Sequence, residues 1–290
     1  MVDVQLSPEL VDPFVRMDAE EMTRAPREFS RRLVDAYESG HVIILENAPF
    51  RPDIDLLSRF RLPADPRFKR LSDAFFLRPA LHRPQVRHAF REMFSPWTDY
   101  FAFRREVARL GREARRFISR AFAGYRFSKE NISWRFTPSG GEHMHLDFFH
   151  SGEDVQYVRM FINVDAEPRL WNVSWSLMDL VDRFYESARL ERFRDRSADA
   201  LIECLTKEAF GWKENPGQDG EPRHGVTLDP GDVWLCDSRK VSHQLVRGNR
   251  LVSAKFRAIP SSMRNPDLRV EAQLAAFHAE RAGREESGGV

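Results

Sequence analysis

Three histidines and an aspartate stand within eight residues in the stretch Gly141-Glu142-His143-Met144-His145-Leu146-Asp147-Phe148-Phe149-His150. On a strand, residues i and i+2 point to the same side. His145 and Asp147 then share a face with His143, and Met144, Leu146 and Phe148 take the opposite, apolar one. On a helix the His145–Asp147 pair diverges by roughly 200°, so the pair has meaning only on a strand. A two-residue donor set on one strand needs a third ligand from elsewhere. The best candidate closes the segment Pro230-Gly231-Asp232-Val233-Trp234-Leu235-Cys236-Asp237-Ser238-Arg239-Lys240-Val241-Ser242-His243. This reads as turn, strand, second turn, then a histidine where the next strand begins, and antiparallel pairing places His243 beside His145. His224 is the rival third ligand, but it precedes the turn. His143 is read as a supporting or solvent-facing ring. His150 falls out of register with the inward face, in a loop. The plain alternative is a hydrogen-bonded His145–Asp147 pair and an unrelated surface histidine.

Two histidines and one carboxylate on one face of a metal form the set used by non-haem Fe(II) oxygenases, which leaves positions open for a cosubstrate and O2. A dicarboxylate cosubstrate such as 2-oxoglutarate also needs a cation, best a two-pronged arginine. The strand after His243 reads Leu251-Val252-Ser253-Ala254-Lys255-Phe256-Arg257, with Ser253, Lys255 and Arg257 alternating onto one face. Arg257 is the first choice for that role and Lys255 the second. Arg159 in Tyr157-Val158-Arg159-Met160-Phe161 and Arg135 in Ser133-Trp134-Arg135-Phe136 are lone charges in apolar runs. Each is either a strand-face residue reaching water or part of the site, since buried arginine is rare unless paired.

His-x-Asp, a distant histidine preceded by Pro-Gly-Asp, and a following strand with basic residues resemble the Fe(II)/2-oxoglutarate-dependent dioxygenases. Within them, Ser133–Pro138 (SWRFTP), His145–Phe149 (HLDFF), Val158–Trp171 (VRMFINVDAEPRLW) and the GDVWLCDSRKVSH segment with Gly248 and Phe256 look like the Kdo hydroxylase family. Kdo is 3-deoxy-D-manno-octulosonic acid, the inner sugar of lipopolysaccharide. The resemblance covers about residues 131–260. It implies a double-stranded β-helix (jelly roll, cupin-like) core and Fe(II), 2-oxoglutarate and O2 as reactants, with ascorbate as reductant. It also implies His145, Asp147 and His243 as iron ligands and hydroxylation of Kdo at C3 on lipid A. It offers no basic residue at the position of Arg257, which brings Arg135 and Arg159 forward. The same chemistry on another sugar acid, a peptide side chain or a secondary metabolite is the alternative. A cupin-like metal- or ligand-binding protein without turnover, or a zinc hydrolase on the same three ligands, is the reading of another class.

The elements that must position these residues fit one mainly β domain with flanking helices, spanning 1–290. A helix-rich part covers 1–130, and a jelly-roll core covers 131–262 with a helical insert at 177–210. A helix and tail occupy 263–290. Helices are expected over Pro26–Ser39, Tyr100–Ala123 and Ala272–Arg284, from apolar residues at helical spacing. Strands are expected over His41–Leu45, Ile132–Phe136, His143–Phe148, Val155–Val164, Arg169–Val173, Val233–Cys236 and Leu251–Ile259. Of 290 residues, 42% are apolar and 12% aromatic, so the chain can bury a sizeable core. A net charge of +1 argues against a nucleic-acid binder. Only six of the 45 basic residues are lysine; the arginine bias is read as codon usage. The arginines around Arg104–Arg120 form a solvated helix face, which also suits peripheral contact with an anionic membrane. Cys204 and Cys236 form no paired motif. No signal peptide or membrane span is legible. The expected compartment is the cytoplasm, with contact at the inner membrane.

Overall fold

The computed structural model describes residues 2–94, 97–136, 141–149, 156–212 and 219–287. Among the described residues, eleven strands form two sheets. They are β1 (Asp3–Gln5), β2 (Phe14–Asp18), β3 (Val42–Glu46), β4 (Arg70–Ser72), β5 (Phe127–Phe136), β6 (Gln156–Asn163), β7 (Arg169–Ser176), β8 (His224–Leu228), β9 (Val233–Leu235), β10 (Val241–Arg247) and β11 (Arg250–Ala258). The smaller sheet runs β1-β8-β7-β10 and the larger β2-β3-β9-β6-β11-β5-β4. Pairing is antiparallel except between β2 and β3. This is the mainly β architecture with flanking helices that the sequence suggested.

Alternation of side chains divides the interior. The outward face of the larger sheet carries Trp134, Val158, Ile162 and Val252. They are buried against Phe29, Leu33 and Tyr37 of helix Pro26–Glu38 and against Phe103, Val107 and Phe117 of helix Thr98–Ala121. Each such large side chain contributes about 1.5–3 kcal/mol of burial free energy. Phe161, Trp234 and Leu251 point the other way and meet Trp171, Val173, Val226 and Val241 of the smaller sheet. A third cluster joins Met144 and Leu146 to helices Leu177–Phe184, Ala198–Phe210 and Val270–Ser287.

Three expectations change. His143–Phe148 is not a strand: it makes one antiparallel bridge, His145 to His243. Met144 and Leu146 still face apolar neighbours, so the alternation survives the loss of the ladder. The insert 177–210 breaks into Leu177–Phe184, the 3-10 turn Leu190–Phe193 and Ala198–Phe210, because Arg189 takes a left-handed conformation at φ 52°. The N-terminal part also supplies strands to both sheets, β1 to the smaller one and β2, β3 and β4 to the larger. The expected strand His41–Leu45 is β3, whereas β1, β2 and β4, three to five residues long, are too short for periodicity to announce. Among the described residues, no helix is long and apolar enough to cross a membrane.

Candidate metal centre

His145, Asp147 and His243 converge, each offering a ligand atom within 4.8 Å of the others. The backbone sets this up. His145 and His243 exchange both amide hydrogen bonds, at 3.0 and 2.8 Å. The Asp147 amide donates to the Ser238 carbonyl at 2.8 Å. Upstream, Gly141 lies so close to β10 that a Cβ there would stand 2.6 Å from the Leu245 carbonyl oxygen. Gly141→Ala is therefore expected to push residues 141–147 off β10 and to weaken divalent-metal binding by roughly 10–100-fold, the scale of losing an outer support. Calorimetric titration with Co(II) measures it.

The histidine rings are oriented by hydrogen bonds that fix their tautomers. His145 Nδ1 lies 2.8 Å from the His143 carbonyl and His243 Nδ1 lies 3.0 Å from the Val241 carbonyl. A carbonyl only accepts, so each Nδ1 carries the proton and each Nε2 keeps its lone pair. The two Nε2 atoms lie 3.6 and 4.0 Å from the carboxylate oxygens of Asp147. Burial depresses the pKa of His145, and burial with the charge of His145 depresses that of His243 further. Both are neutral and ready as ligands.

The loop from Cys236 to Lys240 holds this half of the site. Asp237 accepts from Gln156 and from the Arg239 amide. Arg239 pairs with Glu271 of the C-terminal helix at 2.6 Å. The ammonium of Lys240 donates to the Glu38 and Leu268 carbonyls. Ser238 and His243 are thus pinned from three elements.

Arg159 projects from β6 into the same space, 5% exposed. Its guanidinium pairs with Asp147 and donates to the Ser238 hydroxyl. It lies 4.8 Å from the centre of the Phe161 ring. The Tyr37 hydroxyl accepts from the Arg159 amide at 2.9 Å, tying helix Pro26–Glu38 to this position. Burial pulls the Arg159 pKa down to about 10. Ser253 is buried opposite Ser133 and Phe161. Lys255 stands opposite Arg159, its ammonium 4.7 Å from the Phe149 ring centre and 4.8 Å from that of Tyr157. Arg135 faces inward from β5, and its charge is felt at Arg159, Arg169, His145 and Glu142. Arg257 lies beyond Lys255, opposite Tyr157 and Lys129 at the end of the ladder. The structure therefore gathers Arg135, Arg159, Ser253 and Lys255 on the inner face and leaves Arg257 at its rim.

Two interior groups escaped the sequence reading. Arg169 is 4% exposed and shares the inner face of β7 with Trp171 and Val173. Its guanidinium makes no hydrogen bond or ion pair with the described residues, and its Nε is fully buried. Burial lowers its pKa to about 10, despite Glu142 and Asp165 nearby. Gly248, at φ 143°, makes room for it: a Cβ there would stand 2.9 Å from Arg169 atoms. The lone charge beside Trp171 and Val173 at period two was the available signal. Glu142 is the other group. Burial pushes its pKa up, but Arg135, then His145, His243 and Arg169, hold it below the ordinary range. No periodic pattern marked it.

The remaining candidates resolve simply. His224 is fully buried, its Nδ1 accepting from the Ser7 amide and its Nε2 donating to the Val11 carbonyl. Both nitrogens are committed to pinning the N-terminal segment, so it is no ligand. His143 supports His145 through its carbonyl and packs against Trp212 at 4.4 Å between ring centres. His150 lies outside the described residues. Cys236 is a buried thiol pushed up to about 12 by burial, and Cys204 is also free.

No protein-family model and no curated protein matches the chain. Solved structures do. A Kdo hydroxylase, KdoO, in complex with α-ketoglutarate and Fe(III), aligns over 91% of this chain and 95% of its own, with a TM-score of 0.62 at 15% identity. That structure is described as a non-haem Fe(II) α-ketoglutarate-dependent dioxygenase. Its apo form aligns over 91% and 96%, with a TM-score of 0.61. The chain has the fold of that hydroxylase. The expected jelly-roll core with flanking helices is borne out, and the likeness extends into the N-terminal part that sequence patterns left unmatched.

Proposed function

We propose that the chain is an Fe(II)- and 2-oxoglutarate-dependent hydroxylase. The observation that carries this reading is the convergence of His145, Asp147 and His243 on the inner wall of a jelly roll, with both Nδ1 protons already committed. The donor set fits a first-row divalent cation: two neutral imidazole nitrogens and one carboxylate, leaving coordination positions open. Iron bound there supplies O2 activation coupled to oxidative decarboxylation of 2-oxoglutarate, which delivers a hydroxyl to a C–H bond. The protein supplies orientation, charge and exclusion of water. Arg159 holds one oxygen of Asp147 and so leaves the other free to ligate. The His143 and Val241 carbonyls orient the rings and raise their basicity.

For the distal carboxylate of 2-oxoglutarate we propose Arg169, with Arg135 beside it. A buried arginine without a partner among the described residues is costly, and an anion relieves that cost. Lys255, Ser253 and Arg257 remain the alternatives on β11.

For the substrate, the reading favoured is a sugar acid of the Kdo class, free or in lipopolysaccharide. Two observations support it: the shared fold with a Kdo hydroxylase and an interior richer in cations than one dicarboxylate requires. The test is succinate release with Kdo-containing glycolipid, Fe(II), ascorbate and 2-oxoglutarate. Succinate formation coupled to gain of one oxygen atom by the glycolipid is expected. Uncoupled turnover unaffected by the glycolipid would move the search to other acids.

A further inference from the structure

We infer that the exposed face of helix Thr98–Ala121 docks on an anionic lipid bilayer. The helix is 24 residues long and buries one stripe, which includes Phe103, Val107, Leu110, Ala114, Phe117 and Ala121. Its opposite stripe continues from Trp97, just before the first turn, through Phe101, Arg104 and Arg105. Arg112, Arg116 and Arg120 follow at intervals of four. All five arginines are exposed. None has a carboxylate or hydrogen-bond partner among the described residues.

The rest of the surface carries both kinds: Arg83, Arg87, Arg91, Arg194 and Arg196 are also exposed without a carboxylate partner among the described residues, and others are paired. Arg24 pairs with Asp18 and Glu20, Arg31 with Glu28 and Asp35, and Arg284 with Glu280. On this same helix, Arg109 is bound to Glu106 and Glu113, and Arg115 to Asp73 and Glu130. A solvated helix face normally intersperses signs at i and i+4, and like charges at that spacing repel. Here the acids stay on the flanks and the centre is a cationic row. From Arg104 to Arg120 it extends about 24 Å at 1.5 Å per residue.

The aromatic end selects the partner. Trp97 is 40% and Phe101 59% exposed, one turn apart, among the few exposed large apolar side chains described. Rings at the end of a cationic helix suit the headgroup boundary, with arginines reaching lipid phosphates alongside. A nucleic acid also suits the charge, but stacking on bases calls for rings between the basic residues. These rings stand beyond them. The inference is independent of the metal centre.

The test is co-sedimentation of the full chain with phosphatidylcholine vesicles, with and without phosphatidylglycerol. Binding to the anionic vesicles only is expected, falling as salt rises. One arginine near such a surface is worth a factor of about five, so the triple variant Arg112→Gln, Arg116→Gln, Arg120→Gln is expected to bind about 100-fold more weakly. Trp97→Phe is expected to remove the lipid-induced blue shift of tryptophan emission. The double variant Arg31→Gln, Arg32→Gln, at exposed but paired positions, should bind as the parent does. Circular dichroism verifies that each variant is folded. The proposal is overturned by no binding, by equal binding to neutral vesicles, by full binding of the folded triple variant, or by preference for a short DNA duplex over the anionic vesicles.

Discussion

His145→Ala is expected to abolish 2-oxoglutarate-dependent succinate formation while the thermal midpoint stays near that of the parent. His145 joins β10 through its backbone amide and carbonyl, and alanine keeps both hydrogen bonds. What disappears is one of the two nitrogen ligands proposed for the metal. Removal of an outer support of a metal site costs roughly 10–100-fold, and loss of a ligand itself should exceed that. Asp147→Ala should be equally inactive, with a second consequence. Its carboxylate is the partner of the buried Arg159 guanidinium. Removing one member of a buried ion pair costs about 3–5 kcal/mol. Asp147→Ala should therefore unfold at clearly lower urea than His145→Ala. Retained turnover in either variant would remove that residue from the iron site. Equal stability of the two would contradict the pairing of Arg159 with Asp147.

The second large effect concerns Arg169. Arg169→Leu is expected to raise the KM for 2-oxoglutarate about 100-fold, since charge-assisted hydrogen bonds from a two-pronged guanidinium contribute about 3 kcal/mol. Metal binding, measured with Co(II) alone, should change little. Stability should move the other way. The folded chain without cosubstrate carries a buried charge whose pKa is depressed to about 10 by burial. Leucine relieves that cost, so the thermal midpoint should rise. A variant that is more stable and unable to hold 2-oxoglutarate marks Arg169 as a residue kept for binding. If KM is unchanged, the carboxylate site lies elsewhere, and Lys255→Met and Arg135→Met become the next comparison.

Much of the candidate site was legible because strand alternation is a strict rule. His145 and Asp147 at i and i+2 required a shared face, and Pro230-Gly231 announced the turns that bring back His243. The lone charges Arg135 and Arg159 were legible for the same reason. The order among the cations was not. Arg257 obeyed the alternation but sits at the end of the ladder, and depth along a strand is set by register and strand length, which one sequence does not display. Arg169 stood at the first position of its strand, where a charge reads as a boundary. The short strands β1, β2 and β4 were missed since three to five residues carry too little pattern. The His-x-Asp segment kept the geometry of a strand while pairing at a single bridge, because Ser238 and Thr206 take over the next amide hydrogen bonds.

The central claim is that GEHMHLDFFH, with His243, is an iron site that takes 2-oxoglutarate. It is tested most directly by titrating the metal-free protein with Fe(II) and then 2-oxoglutarate without oxygen, following the visible spectrum. The account predicts a metal-to-ligand charge-transfer band that forms with the parent, is absent in His145→Ala, and needs far more 2-oxoglutarate in Arg169→Leu. A folded parent protein that binds the metal at these residues and shows no such band would contradict the cosubstrate assignment and leave a metal-binding jelly roll of another chemistry.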